Sequence, residues 1–157
     1  MFIGLDLGTS HLKGIVIDDA QNVCAEAAVS LSLMRPKNGW SEQNPQDWLD
    51  ATENVMASLA NKVNLKKVNA IGLSGQMHGA TLLDKNGEIL HPCILWNDTR
   101  SYKQASILDK DVNLREITGN IVFPGFTAPK LLWIQDNKPE LFEQVAKVLL
   151  PASYLGY

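Results

Sequence analysis

Between Phe2 and Leu33 three strand-like runs follow one another with links too short to hold a helix. Residues 2 to 7 form an apolar run with Asp6 near its end, and residues 12 to 18 are rich in Ile and Val. From Val23 to Leu33 the odd positions read Val23, Ala25, Ala27, Val29, Leu31 and Leu33, with Glu26, Ser30 and Ser32 between them. That is the period of a half-buried strand. The links Gly8-Thr9-Ser10 and Asp19-Ala20-Gln21-Asn22 are turn-prone. Parallel neighbours need a crossover of a dozen residues or more, so the three runs are expected to form an antiparallel meander.

A loop by composition, Arg35 to Gly39, leads to a helix start: Asn44 as N-cap, Pro45 at the first helical position and Asp47 in the first turn. The helix is predicted to reach about Lys62, with Trp48, Thr52, Val55, Met56, Leu59 and Val63 on one face against a sheet. Val68 to Ser74 reads as a buried strand ending at Gly75. Ala80 to Leu83 and Ile89 to Leu95 flank Asn86-Gly87, a hairpin signal. Ser101 to Leu114 is expected to be helical, Pro129 opens a second helix to Asp136, and Val145 to Leu150 is a last strand. The order implies an α/β fold with a mixed sheet.

With 157 residues and 45% hydrophobic composition, the chain can bury a core without disulfides or a structural metal. Its 14 basic and 17 acidic residues are scattered, which argues against nucleic acid as a partner. No run approaches 18 apolar residues and MFIGLDLGTS is no signal peptide, so no membrane partner and a cytoplasmic location are expected. Cys24 and Cys93, far apart in apolar surroundings, read as two buried thiols.

Three segments can carry chemistry. Around the first turn, Gly8 permits close approach of an anion to the backbone, Thr9 and Ser10 add hydroxyls, and Lys13 adds a positive charge. Asp6, at a strand end, suits a hydrated magnesium ion, which takes few carboxylates. The alternative is a plain β-turn. Ser74-Gly75-Gln76-Met77-His78-Gly79 mixes an amide, an apolar body and an imidazole, a set suited to a polyhydroxylated ligand, or else is a simple connection. Trp96-Asn97-Asp98-Thr99-Arg100 pairs donors and acceptors beside an indole; otherwise it caps the next helix, with Arg100 in a surface ion pair. No Walker A or Gly-x-Gly-x-x-Gly pattern is present.

In order, Ile3 to Ser10, Trp40 to Gln43, Gly75 to Gly79 with Trp96 to Arg100, and Gly125 to Asn137 through Lys130, Trp133 and Asn137 resemble the FGGY family of carbohydrate kinases. The resemblance implies an actin-like, ribonuclease H-like (ASKHA) fold, incomplete at its C-terminus. Residues 1 to 157 would be the N-terminal part of a sugar-binding domain, with the rest of it and an ATP-binding domain absent. The implied activity is ATP-dependent phosphorylation of a ketose, D-xylulose first, with another ketose or polyol, or a non-catalytic nucleotide-binding module, as alternatives.

By resemblance, Asp6 serves Mg2+, and Gly8, Thr9, Ser10 and Lys13 serve the transferring phosphate. Gln76, Met77, His78, Asn97, Asp98 and Arg100 are expected to bind the sugar, residues 77 and 78 by family likeness and the others by their chemistry. The family's catalytic Asp is expected beyond Tyr157, which makes the piece alone inactive. Self-association is expected too. His11 departs from the small residue common in relatives; it either narrows the bend or points to solvent.

Overall fold

The computed structural model describes all 157 residues. In chain order it contains β1 (Phe2–Leu7), β2 (His11–Ile17), β3 (Val23–Ser30), β4 (Glu42–Gln43), α1 (Pro45–Ala60), a 3-10 turn (Leu65–Lys67) and β5 (Ala70–Gly75). Then follow β6 (Thr81–Leu83), β7 (Cys93–Ile94), α2 (Tyr102–Asp109), α3 (Val112–Thr118), α4 (Thr127–Asn137), α5 (Pro139–Phe142), β8 (Lys147–Leu149) and α6 (Pro151–Leu155). Two compact units divide the chain. One comprises Met1–Leu33, Asn44–Gln76 and Pro151–Tyr157; the other comprises Met34–Gln43 and Met77–Leu150.

The first unit holds the meander. Its sheet runs β3-β2-β1-β5, with β1–β2 and β2–β3 antiparallel and β1–β5 parallel, so it is mixed as expected. Alternation puts Ile3, Leu5, Leu7, Leu12 and Val16 on one buried face. There α1 packs on β2 and β3, supplying Trp48, Val55 and Leu59, all fully buried. The Asn44 side chain accepts from the Gln46 amide and Pro45 opens the helix, which ends two residues short of the predicted limit.

Two expectations fail in this unit. The strand β5 starts at Ala70 and is exposed, with Ile71 and Leu73 open to solvent. It is the last strand of the sheet, with only β1 beside it and the short α6 against it. Cys24 is also exposed, because it alternates with buried Ala25 and so points away from the core; only Cys93 is buried, and burial pushes its thiol up to about 12.

In the second unit the turn at Asn86-Gly87 forms, with Gly87 at φ +87° and the Asp84 carboxylate accepting from the Asn86 and Glu88 amides. Its flanks pair with each other only at isolated bridges. The partners that win are distant: β6 pairs with β8 and β7 with β4, both antiparallel. The predicted helix from Ser101 breaks after Asp109, and Asp111 caps α3 through the Asn113 and Leu114 amides. The helix expected from Pro129 begins at Thr127, leaving the proline inside the first turn, where the missing donor costs nothing. Ala80, Leu82, Ile94 and Ile134 form the core, packed by Leu131, Trp133 and Phe142 among others.

Candidate functional site

In the first unit the bend between β1 and β2 is closed by the Gly8 amide donating to the His11 carbonyl at 3.0 Å. A Cβ on Gly8 would lie 3.1 Å from that oxygen, so glycine here serves closure of the turn. The amide is committed inside the bend and is not a donor to an anion. The Thr9 hydroxyl donates to Gln76 Oε1 at 3.2 Å, and the Gln76 amide donates to the Leu7 carbonyl at 2.8 Å, which ties Gln76 to the bend. Ser10 and Lys13 are exposed. His11 is exposed too, the solvent-facing outcome.

Asp6 alternates with buried Leu5 and Leu7, so its carboxylate projects from the uncovered face of the sheet. It stands opposite Lys13 in the β1–β2 register and opposite Ser74 in the β1–β5 register. Gly4 and Gly72, paired across β1 and β5, leave that face hollow. An open cavity of about 970 Å3 results, bordered by Asp6, Lys13, Glu26 and Ser74. No group of three or more His, Cys, Asp or Glu side chains could cage a metal. A single exposed carboxylate suits magnesium nonetheless, because that ion keeps several waters and completes its shell with phosphate oxygens.

In the second unit Met77 is exposed and His78 adopts a left-handed backbone, φ +60°. The His78 ring stacks on Phe126, with centroids 4.5 Å apart and planes 28° from parallel. Burial, and then the Lys130 charge, hold this imidazole below its ordinary pKa, which keeps it neutral at pH 7. Asn97 is exposed in the turn after β7.

Asp98 and Arg100 do not form the surface pair considered from sequence. Both are buried. Asp98 Oδ2 accepts from Arg100 Nη2 at 2.7 Å and from the Ser41 amide at 2.6 Å, while Oδ1 accepts from Arg100 Nε at 2.9 Å. Arg100 Nη1 pairs with Glu42 Oε1 at 2.7 Å. The guanidinium lies 3.5 Å from the Trp40 ring centre and 5.1 Å from that of Trp133. Neither Asp98 nor Asn97 caps α2; its cap position is Ser101, whose hydroxyl donates to the Pro124 carbonyl instead.

The family model for the N-terminal domain of FGGY carbohydrate kinases matches residues 1–157, the whole chain. The chain belongs to the FGGY family. It is 49% identical over 156 residues to a xylulose kinase of Escherichia coli, covering 99% of this chain and 32% of that protein. A solved xylulose kinase of Brucella ovis superposes with TM-score 0.96 at 53% identity, over 98% of this chain and 33% of its own. A solved gluconate kinase of Lactobacillus acidophilus reaches TM-score 0.89 at 28% identity, over 98% of this chain and 32% of its own. The chain thus spans about a third of the length of the relatives it matches. The fold is the actin-like α/β fold of FGGY sugar kinases, as the sequence implied.

The FGGY segment Gly125 to Asn137 enters the structure as a support rather than a surface. Lys130 is fully buried, and its ammonium donates to the His78 carbonyl at 2.7 Å; Thr127 Oγ1 donates to the same oxygen at 3.2 Å. Sequence reading matched Lys130 and Trp133 to the family without giving either a task. A lone lysine in the apolar helix Lys130-Leu131-Leu132-Trp133-Ile134 was the available signal. Nothing local announced that Trp40 and Trp133 would enclose Arg100.

Burial pulls the Lys130 amine down to about 8 from 10.5. Between those values the unfolded chain keeps the proton that the folded chain has released, so this group adds stability as pH rises. Cys93 opposes it from 9.0 to about 12, where the folded thiol holds a proton that the unfolded one has lost. Comparison with Lys130→Met isolates the lysine. From about pH 8 to about pH 10 the wild type should gain on the variant by about 2 kcal/mol in urea titrations. A difference independent of pH would mean that Lys130 titrates normally.

Proposed function

We propose that the gene product carrying this chain transfers the γ-phosphoryl group of ATP to the terminal hydroxyl of D-xylulose. The observation that carries this reading is an exposed carboxylate opposite an exposed ammonium, Asp6 and Lys13, beside the Gly8–Ser10 bend, in a chain half identical to xylulose kinases. Residues 1 to 157 act as the N-terminal part of a sugar-binding domain. On this reading the protein works in the cytoplasm, as a homo-oligomer or, for these residues alone, a self-associating piece. No helix is long and apolar enough to cross a membrane.

Asp6 holds hydrated magnesium. The ion supplies neutralisation of polyphosphate charge. Gly8 and Thr9 shape the bend, while the Ser10 hydroxyl and Lys13 ammonium are the donors it offers to the transferring phosphate. Phosphoryl transfer asks mainly for positioning and electrostatic stabilisation, so fixed donors matter more than covalent chemistry. Met77, neutral His78, Gln76 and Asn97 read the ketose. Asp98 and Arg100 serve it through the loop they brace, because their polar atoms are spent on each other, Glu42 and Ser41. The Asp that accepts the hydroxyl proton lies outside this chain, and the 157 residues alone are inactive.

The test is ADP release by the full-length gene product, followed across a panel of ketoses, polyols and gluconate with ATP and magnesium. D-Xylulose should give the highest kcat/KM. Turnover of another sugar with none of D-xylulose would replace this reading by the second one, a family kinase of different substrate, which the likeness to gluconate kinase favours.

A further inference from the structure

A histidine in the left-handed region is uncommon and costs free energy unless its surroundings hold it there. His78 has this geometry at φ +60°, directly after exposed Met77. Its carbonyl is turned onto two side-chain donors from the start of α4, Lys130 Nζ at 2.7 Å and Thr127 Oγ1 at 3.2 Å. Phe126, the residue before α4, stacks on the His78 ring. One short segment therefore grips both the backbone and the ring of this residue.

Lys130 is costly where it lies. It is fully buried and makes none of the chain's ion pairs, which belong to the N-terminus, Arg100 and Arg115. Cys93, Asp98, Arg100 and His78 are the ionisable groups that act on it or that it acts on. A buried ammonium without a carboxylate partner is retained against desolvation, so its bond to a carbonyl must hold something that matters. A methionine would fill the same space without that penalty.

We infer that Lys130, together with Thr127, is a positioning residue that locks the His78 backbone in its left-handed conformation and thereby fixes the imidazole against Phe126 for recognition of the sugar hydroxyls. Neither residue touches the ligand; both act through His78. The clamp rests on the sugar-kinase reading only for its effect on affinity. Its effect on His78 is a property of the fold and is measured without any substrate.

The experiment uses the full-length gene product with Lys130→Met, Thr127→Val and Thr127→Ser, observing the three histidines of this chain, His11, His78 and His91, by NMR. In the wild type the stacked Phe126 ring should shift the His78 ring protons upfield. Lys130→Met should move the His78 resonances toward their unstacked positions while His11 and His91 stay in place. KM for the preferred sugar should rise about 10- to 100-fold, the span of one charge-assisted hydrogen bond, with KM for ATP within about twofold. Thr127→Val should give a smaller shift in the same direction, and Thr127→Ser, which keeps the hydroxyl, should restore wild-type behaviour.

An unmoved His78 signal in Lys130→Met overturns the clamp. A moved signal with unchanged sugar KM in an active enzyme overturns the role in recognition. If no sugar is phosphorylated by the wild type, the functional reading falls and the clamp stands or falls on the NMR shifts. If Lys130→Met loses all three histidine signatures through misfolding, the Thr127 pair decides, and equal behaviour of Val and Ser rejects the proposal.

Discussion

Asp6→Asn in the full-length gene product is expected to lower kcat for sugar phosphorylation about 10²- to 10³-fold, with the sugar KM nearly unchanged. The side chain is exposed on the open face of the sheet, opposite Lys13 and Ser74, and no protein donor engages its carboxylate. The substitution therefore removes charge without removing packing, and the variant should melt within about 0.5 kcal/mol of the wild type. Raising magnesium should recover part of the rate, since asparagine retains an oxygen but not the charge that holds the ion. Steady-state assays at several magnesium concentrations check this. A loss below about tenfold would remove Asp6 from the phosphate chemistry.

Gly125→Ala is expected to cost the second unit about 3 kcal/mol or more. A Cβ at this position would fall far inside van der Waals contact distance of the Trp96 carbonyl oxygen, which is backbone and cannot rotate aside. Relief requires the Trp96 turn and the Pro124–Phe126 segment to separate. That motion would also pull on the Ser101 hydroxyl bound to the Pro124 carbonyl and on Phe126 under the His78 ring. Urea titration monitored by tryptophan emission gives the number. A variant as stable as the wild type would mean that the two segments are less tightly joined than their geometry indicates.

The parts of the fold legible in the sequence are those decided locally. Short links force the meander, and Asn44-Pro45 starts α1, because each depends on residues within one turn of one another. Pairing between distant segments was not legible. The Asn86-Gly87 turn is present, yet β6 and β7 find β8 and β4, which only the packed unit can choose. The same limit governs the site: Asp6, Lys13 and His78 could be singled out by residue type, whereas the enclosure of Arg100 and the burial of Lys130 depend on where Trp40, Trp133 and α4 come to rest. The Gly8 amide is the exception: its partner, His11, lies inside the turn itself, yet residue type alone left turn closure and anion approach both open.

The four tryptophans divide unequally, and this gives each unit its own optical signature. Trp48, sealed against the meander, should emit at short wavelength and report the first unit alone. Trp40, Trp96 and Trp133 belong to the second, where the Arg100 guanidinium lies against Trp40 and Trp133 and Trp96 is open to solvent. Comparing the emission of the wild type with that of Trp48→Phe during denaturation can thus tell whether the halves melt as one cooperative body or in sequence, without attaching any label.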